Sequence, residues 1–241
     1  ASALPQSVTN LEQPGFPWKH LALPAEVMQP LETLAAARNL TSPRLVLLSG
    51  PSGTGKTAIA RALAHRWDVH LTRVDLGTLT ATTIPAVLEE LTSARGIVLL
   101  QTAQHWFGRH PKIDPAQVQD WLSRCPAELI CLSTEHRQSV QPSWRRRCAG
   151  VFSLPRPDVA ARRQILRQAV PAEVTIEKRL RWIQLARQLP LTGGELVQIA
   201  ATAIALAQPS TSSPLGISHF QEATALRHPG LKFGSGFQKG A

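Results

Sequence analysis

Residues 44–67 read RLVLLSGPSGTGKTAIARALAHRW, and the order of the pieces decides the fold. Arg44–Ser49 is a short apolar run bounded by Pro43 and Gly50, the pattern of a buried strand. Gly50 to Thr57 then fit G-x-x-x-x-G-K-[ST], and a helix should follow from Gly55 to Trp67. A strand, a glycine-rich turn and a helix in that order suit a phosphate chain. The glycines let backbone N–H groups wrap the phosphates, and the helix N-terminus adds positive potential. The candidate nucleotide-binding set is Gly50, Pro51, Ser52, Gly53, Thr54, Gly55, Lys56, Thr57 and Ala58. Within it Lys56 would reach the β- and γ-phosphates and the Thr57 hydroxyl would ligate Mg2+.

Outward from this segment the chain alternates. His70–Asp75, Gly96–Leu100, Leu129–Ser133 and Gly150–Leu154 read as further strands. Ile84–Ser93, Asp114–Arg124 and a short piece near Pro142–Cys148 read as helices between them. Five strands alternating with helices predict an α/β fold, a parallel sheet covered on both faces. Upstream, Pro24–Asn39 reads as a helix broken or restarted at Pro30, and residues 1–16 as a flexible polar arm. After Pro155-Arg156-Pro157 no strand pattern recurs. Asp158 can cap a helix to about Ala169, and Glu177–Gln188, Gly193–Ala207 and Ser218–Arg227 read as three more. The expected organisation is an arm at 1–16, a nucleotide-binding αβα domain at 17–155, a small all-helical domain at 156–228 and a flexible Gly-rich tail at 229–241.

Composition narrows the class. With 43% hydrophobic and 17% charged residues among 241, the chain can bury a core and is not disordered or fibrous. The net charge is +10, and residues 137–187 alone hold twelve cations against Asp158, Glu173 and Glu177. Such a stretch is either a set of solvated helix faces or a surface for an anionic partner, nucleic acid or an acidic neighbouring subunit. Three cysteines are too few for a disulfide framework and point to a reducing compartment. No apolar run reaches the roughly 18 residues of a span, and the first fifteen residues lack a basic, apolar leader. The expectation is a cytoplasmic protein without membrane insertion. No His/Cys pair has zinc spacing, and no G-x-S-x-G or Cys–His signature supports nucleophilic catalysis. His105, Trp106 and Phe107 suit packing better than stacking on a base.

With these residues in view, the sequence resembles the AAA+ ATPases over about Trp18 to Arg227. The lead-in PWKHLALP (17–24), the P-loop, Val74-Asp75-Leu76 and the GIVLL strand (96–100) come in that family's order. HWFGRH (105–110) is similar to the segment after the family's Walker B acids, and LICLST (129–134) to its sensor 1 strand. PSWRRRC (142–148) looks like the arginine-finger region and LPRPD (154–158) like the hinge into the helical lid. Leu191–Glu195 looks like the start of the lid's sensor 2 helix. The resemblance implies a P-loop NTPase αβα sandwich with a helical lid, ATP or ADP with Mg2+ as cofactor, and homo- or hetero-oligomers with other AAA+ subunits. It also implies that Arg146 or Arg147, with Arg145 adjacent, faces the γ-phosphate of a neighbouring subunit.

The departures from the family pattern matter as much. Where the family's Walker B strand ends in Asp-Glu, this one ends in Gln101-Thr102. The sensor 1 position is Glu135, or Thr134 if the register slips by one, and the sensor 2 position is Val197. No aromatic lies between Asp75 and Gly96 to serve as a pore-loop residue. The expectation is an ATP-binding AAA+ module with weak or lost hydrolysis, acting as a nucleotide-dependent assembly or regulatory subunit. Two alternatives stand beside it. One is an active ATPase with a relocated catalytic carboxylate, Glu135 or Asp75. The other is a nucleic-acid-binding loader or regulator using residues 137–187.

Overall fold

A computed structural model of the chain describes residues 10–13, 15–38, 45–207, 214–231 and 233. The chain divides into two compact units: residues 1–51 with 55–155, and residues 52–54 with 156–241. The expected tail beyond Phe233, and the expected helix and strand ends at Asn39 and Arg44, lie outside the described residues.

The first unit is an α/β sandwich around six strands: β1 (Asn10–Glu12), β2 (Leu45–Ser49), β3 (Leu71–Asp75), β4 (Ile97–Gln101), β5 (Leu129–Thr134) and β6 (Cys148–Ser153). Their order is β1-β3-β4-β5-β2-β6. All neighbours run parallel except β1, which pairs antiparallel with β3. Among the described residues the sheet thus has six strands rather than the five expected. Asn10–Glu12, in the stretch read as a flexible arm, forms the extra edge strand. Three residues carry no period to read, and a non-local ion-pair set holds them: Glu12 meets Arg61 at 2.6 Å and Arg73 at 3.4 Å.

Period-two alternation sorts the sheet side chains onto two faces. Leu45, Leu47, Val74, Val98, Leu100, Ile130 and Leu132 pack toward α3 (Ile84–Ser93), α4 (Gln104–Phe107) and α5 (Pro115–Arg124). Val46, Leu48, Ile97, Leu99, Leu129 and Cys131 pack toward α1 (Ala25–Ala36) and α2 (Lys56–Trp67). Every residue of β2 and β5 is buried, as central parallel strands require. Helix α1 runs unbroken through Pro30, contrary to the expected interruption. Its buried stripe of Val27, Leu31, Leu34 and Ala35 outweighs the one hydrogen bond that the proline removes. A short α6 (Pro142–Arg146) leads into β6.

The second unit holds α7 (Val159–Gln168), α8 (Trp182–Gln188), α9 (Gly193–Ala207) and α10 (Ile217–Arg227) around Leu166, Leu185, Leu196, Ile199 and Phe220. Asp158 caps α7 by accepting from the Ala161 N–H at 2.7 Å. The helix expected from Glu177 is shorter and begins at Trp182. Upstream, Ile176 forms a bridge to Leu215, and the Leu215 N–H donates to the Thr175 carbonyl, which holds that segment extended. Among the described residues, no helix is long and apolar enough to cross a membrane.

Candidate functional site

β2 delivers the chain to the carboxyl edge of the sheet, where open α/β folds place their ligands. The loop that follows has Gly50, Gly53 and Gly55 at positive φ. At Gly55, the residue before α2, φ is 105°, a value an L side chain would adopt only with strain. No side chain caps α2, so its first N–H groups keep no side-chain acceptor, and the positive end of the helix dipole adjoins the loop. The Lys56 ammonium is folded back on this loop and donates to the Gly50 carbonyl at 2.6 Å and the Pro51 carbonyl at 2.8 Å. Burial pushes its pKa below the usual lysine value, and the nearby Glu135 carboxylate opposes that shift. An incoming phosphate would replace two neutral carbonyls with an anionic acceptor.

The end of β4 is built differently. Gln101 is its last residue, and its side-chain Nε2 stands 3.5 Å from the Thr57 hydroxyl, at the outer limit of a hydrogen bond. Thr102 follows at φ 50°, left-handed backbone for a β-branched residue. Its hydroxyl is 2.5 Å from Asp75 Oδ1 and 2.7 Å from the Gln101 carbonyl. Asp75 lies across from Gln101 in the β3–β4 register, and the same Oδ1 also accepts the Gly77 N–H at 2.9 Å. Trp106 and Phe107 are fully buried, edge-on to Trp121 and Trp144, so these two aromatics are packing residues. Burial and the Lys112 charge lower the pKa of the neighbouring His105, while Asp75 raises it.

Strand order ranks the two carboxylates considered as substitutes. Asp75 ends β3, three strand spacings from β2, or about 14 Å. Glu135 follows β5, the strand beside β2, and the Gly50 N–H donates to its backbone carbonyl at 3.1 Å. Glu135 is exposed and its charge acts on Lys56. Thr134 turns away: it is buried, and its hydroxyl donates to Gln104 Oε1 at 3.1 Å. Neither Gln104 nor the Asp75–Thr102 bond was legible in the sequence, because both depend on the register of neighbouring strands.

The arginines of α6 also separate. Arg147 stacks over Trp144, with its guanidinium carbon 4.6 Å from the ring centroid, whereas Arg146 is exposed. The basic stretch 137–187 is not one element. It crosses the boundary between the units at Pro155, and Arg162 spends its donors on the Ala186 and Pro157 carbonyls. Val197 is 48% exposed on α9. For Mg2+, the donor set is one hydroxyl, Thr57, facing a neutral amide. Among the described residues no three His, Cys, Asp or Glu side chains are grouped to hold a metal. Mg2+ ordinarily leans on one or two carboxylates beside the phosphates, so this set does not fit it well.

Residues 46–155 match the model of the ATPase family associated with various cellular activities, AAA. Among relatives, the peroxisomal ATPase PEX6 of Rattus norvegicus is 28% identical over 172 residues, covering 62% of this chain. This chain matches only 17% of that protein's length. The CD-NTase-associated protein 6 of Pseudomonas aeruginosa is 27% identical, over 66% of this chain and 64% of that protein. In three dimensions the fold is similar to a structure described as the structural basis for katanin self-assembly. That likeness has a TM-score of 0.69 at 16% identity, covering 92% of this chain and 91% of the other. It is similar also to the FIGL-1 AAA domain solved with ADP, with a TM-score of 0.69 at 15% identity, covering 94% and 89%. At such identities these likenesses establish the fold.

Proposed function

We propose that this chain, whose residues 46–155 match the AAA ATPase family model, is an AAA+ P-loop module that binds nucleotide and whose ATP hydrolysis is weak or lost. In this reading bound ATP or ADP governs assembly with other AAA+ subunits, and the helical unit serves as the lid. The observation that carries it is the end of β4, where Gln101 and Thr102 stand in place of an acid pair. Phosphoryl transfer asks a protein to hold phosphates and to orient a water. The loop from Gly50 to Thr57 with the N-terminus of α2 supports the holding. Water activation needs an acceptor, and general-base help is worth about 10²–10⁴-fold in rate. A neutral amide and a hydroxyl committed to Asp75 offer no such base.

One second reading has an observation in its favour. Glu135 is exposed, follows the strand beside β2 and acts on Lys56, so a relocated base there would make the chain an active ATPase. Asp75 is too distant and too occupied for the role. A steady-state phosphate-release assay on wild type, Glu135→Ala and the Gln101→Asp/Thr102→Glu double variant decides between the readings. Very low wild-type turnover, gained only in the double variant, is the expected result. Wild-type turnover that disappears in Glu135→Ala would establish the relocated base.

For assembly, the katanin structure similar in fold is described as self-assembling, and Arg146 is exposed in the segment that resembles the family's finger region. Sedimentation with and without ATP tests it: nucleotide-dependent association, lost in Arg146→Ala, is expected. No observation favours the nucleic-acid reading of 137–187, since Trp106 and Phe107 are buried and the cations are divided between two units.

A further inference from the structure

We propose that this site binds ADP and ATP as readily without Mg2+ as with it, the phosphates being held by the loop and Lys56 alone. The inference rests on the nucleotide-binding reading above and concerns how that same site neutralises its ligand. Mg2+ dehydrates reluctantly and keeps several waters. A protein secures it through one or two carboxylates that fix those waters, together with the phosphate oxygens. The oxygen available here is the Thr57 hydroxyl at the start of α2, and the side chain facing it is Gln101, with Nε2 at 3.5 Å. An amide carries no formal charge whichever way it turns, and in this orientation it presents donors, which compete with a cation for the same oxygen.

The two nearby carboxylates do not repair the deficit. Asp75 accepts from the Thr102 hydroxyl and the Gly77 N–H through one oxygen, and it ends β3, a strand farther from β2 than Gln101. Glu135 acts on the Lys56 ammonium, which is the charge that meets the phosphates. A family member that keeps the loop while replacing the water-fixing acid by an amide retains the part of the site that binds phosphate. It discards the part that rewards the metal.

The test is ADP affinity for the full chain by calorimetry, in EDTA and in millimolar Mg2+ at matched ionic strength. ADP removes hydrolysis from the measurement. The expected wild-type dissociation constants agree within about threefold, a difference well under one tenfold step. Gln101→Asp should make binding about tenfold or more tighter in Mg2+ than in EDTA, with Gln101→Glu as a second form if the aspartate melts early. A wild-type gain from Mg2+ larger than threefold overturns the inference, as do Gln101 acid variants that fold and stay indifferent to the metal. Absence of ADP binding in both buffers overturns instead the nucleotide reading on which the inference rests.

Discussion

The ends of β2 and β4 lie two strands apart on one edge of the same sheet, and they have kept different things. At the end of β2 the positive φ values fall on glycines, the helix N-terminus is left without a capping side chain and Lys56 is poised over the turn. At the end of β4 a positive φ falls on Thr102, the hydroxyl is tied to Asp75, and the next turn buries Trp106 and Phe107. Both strands satisfy the sheet equally well, since Leu45–Leu48 and Ile97–Leu100 are all buried. The packing requirement ends with the last apolar residue of each strand. Chemistry is set by the one or two residues beyond it, where substitution leaves the fold intact.

The sharpest way to separate packing from chemistry after β4 is Phe107→Ala. This side chain is fully buried against Trp144, so its loss should cost about 3–5 kcal/mol in urea unfolding. A cost below about 1 kcal/mol would return α4 to the list of functional elements. Next comes Lys56→Ala, expected to weaken ADP affinity at least tenfold, because charge-assisted contacts to phosphate contribute about 1.5–3 kcal/mol each. The thermal stabilisation given by bound nucleotide should vanish with it. Equal melting shifts in variant and wild type would remove the phosphate role from the loop.

A smaller effect probes the backbone of Thr102. Left-handed backbone costs an ordinary residue about 1–2 kcal/mol, and asparagine tolerates it while still offering Asp75 a donor. Thr102→Asn should therefore stabilise the chain by about 0.5–1 kcal/mol. Destabilisation would mean that the threonine methyl or hydroxyl is irreplaceable there.

The smallest effect concerns β1. The hydrogen bond from Arg61 holds the Glu12 carboxyl below its ordinary value of 4.5, against a smaller opposing effect of burial, with Arg61 and Arg73 charges adding to it. A lowered folded-state pKa gives stability that is present above the unfolded value and is lost as pH falls through the folded one. Glu12 and Arg61 are partly exposed, so the contribution is about 0.5 kcal/mol. Wild type should lose that much more than Glu12→Gln in urea melts taken at about pH 6 and pH 3.5. Parallel losses would leave the edge strand held by its backbone ladder alone.

What was legible in the sequence follows the range of the forces involved. Helix α3 begins and ends, and α9 begins, where the pattern puts them, because local spacing and flanking residues set those limits. The loop between β2 and α2 was legible for the same reason, its glycines and lysine being contiguous. β1 and the late start of α8 were not. β1 depends on Arg61 and Arg73 many residues away, and the segment before α8 is held by Leu215. At the site, the neutral residues Gln101 and Thr102 at the end of β4 could be read directly. The pairing of Thr102 with Asp75 and of Thr134 with Gln104 needed the register of the sheet.

That this chain holds ATP without consuming it, as proposed above, can be measured in a single turnover. Protein in excess over γ-labelled ATP is incubated, quenched at intervals and assayed for released phosphate. An ordinary ATPase turns over at about 10 per second, and loss of general-base help slows this by about 10²–10⁴-fold. The expected outcome is slow decay of bound ATP, with a half-life between about 7 seconds and about 12 minutes. Conversion of most of the bound ATP to ADP and phosphate within about a second would contradict it.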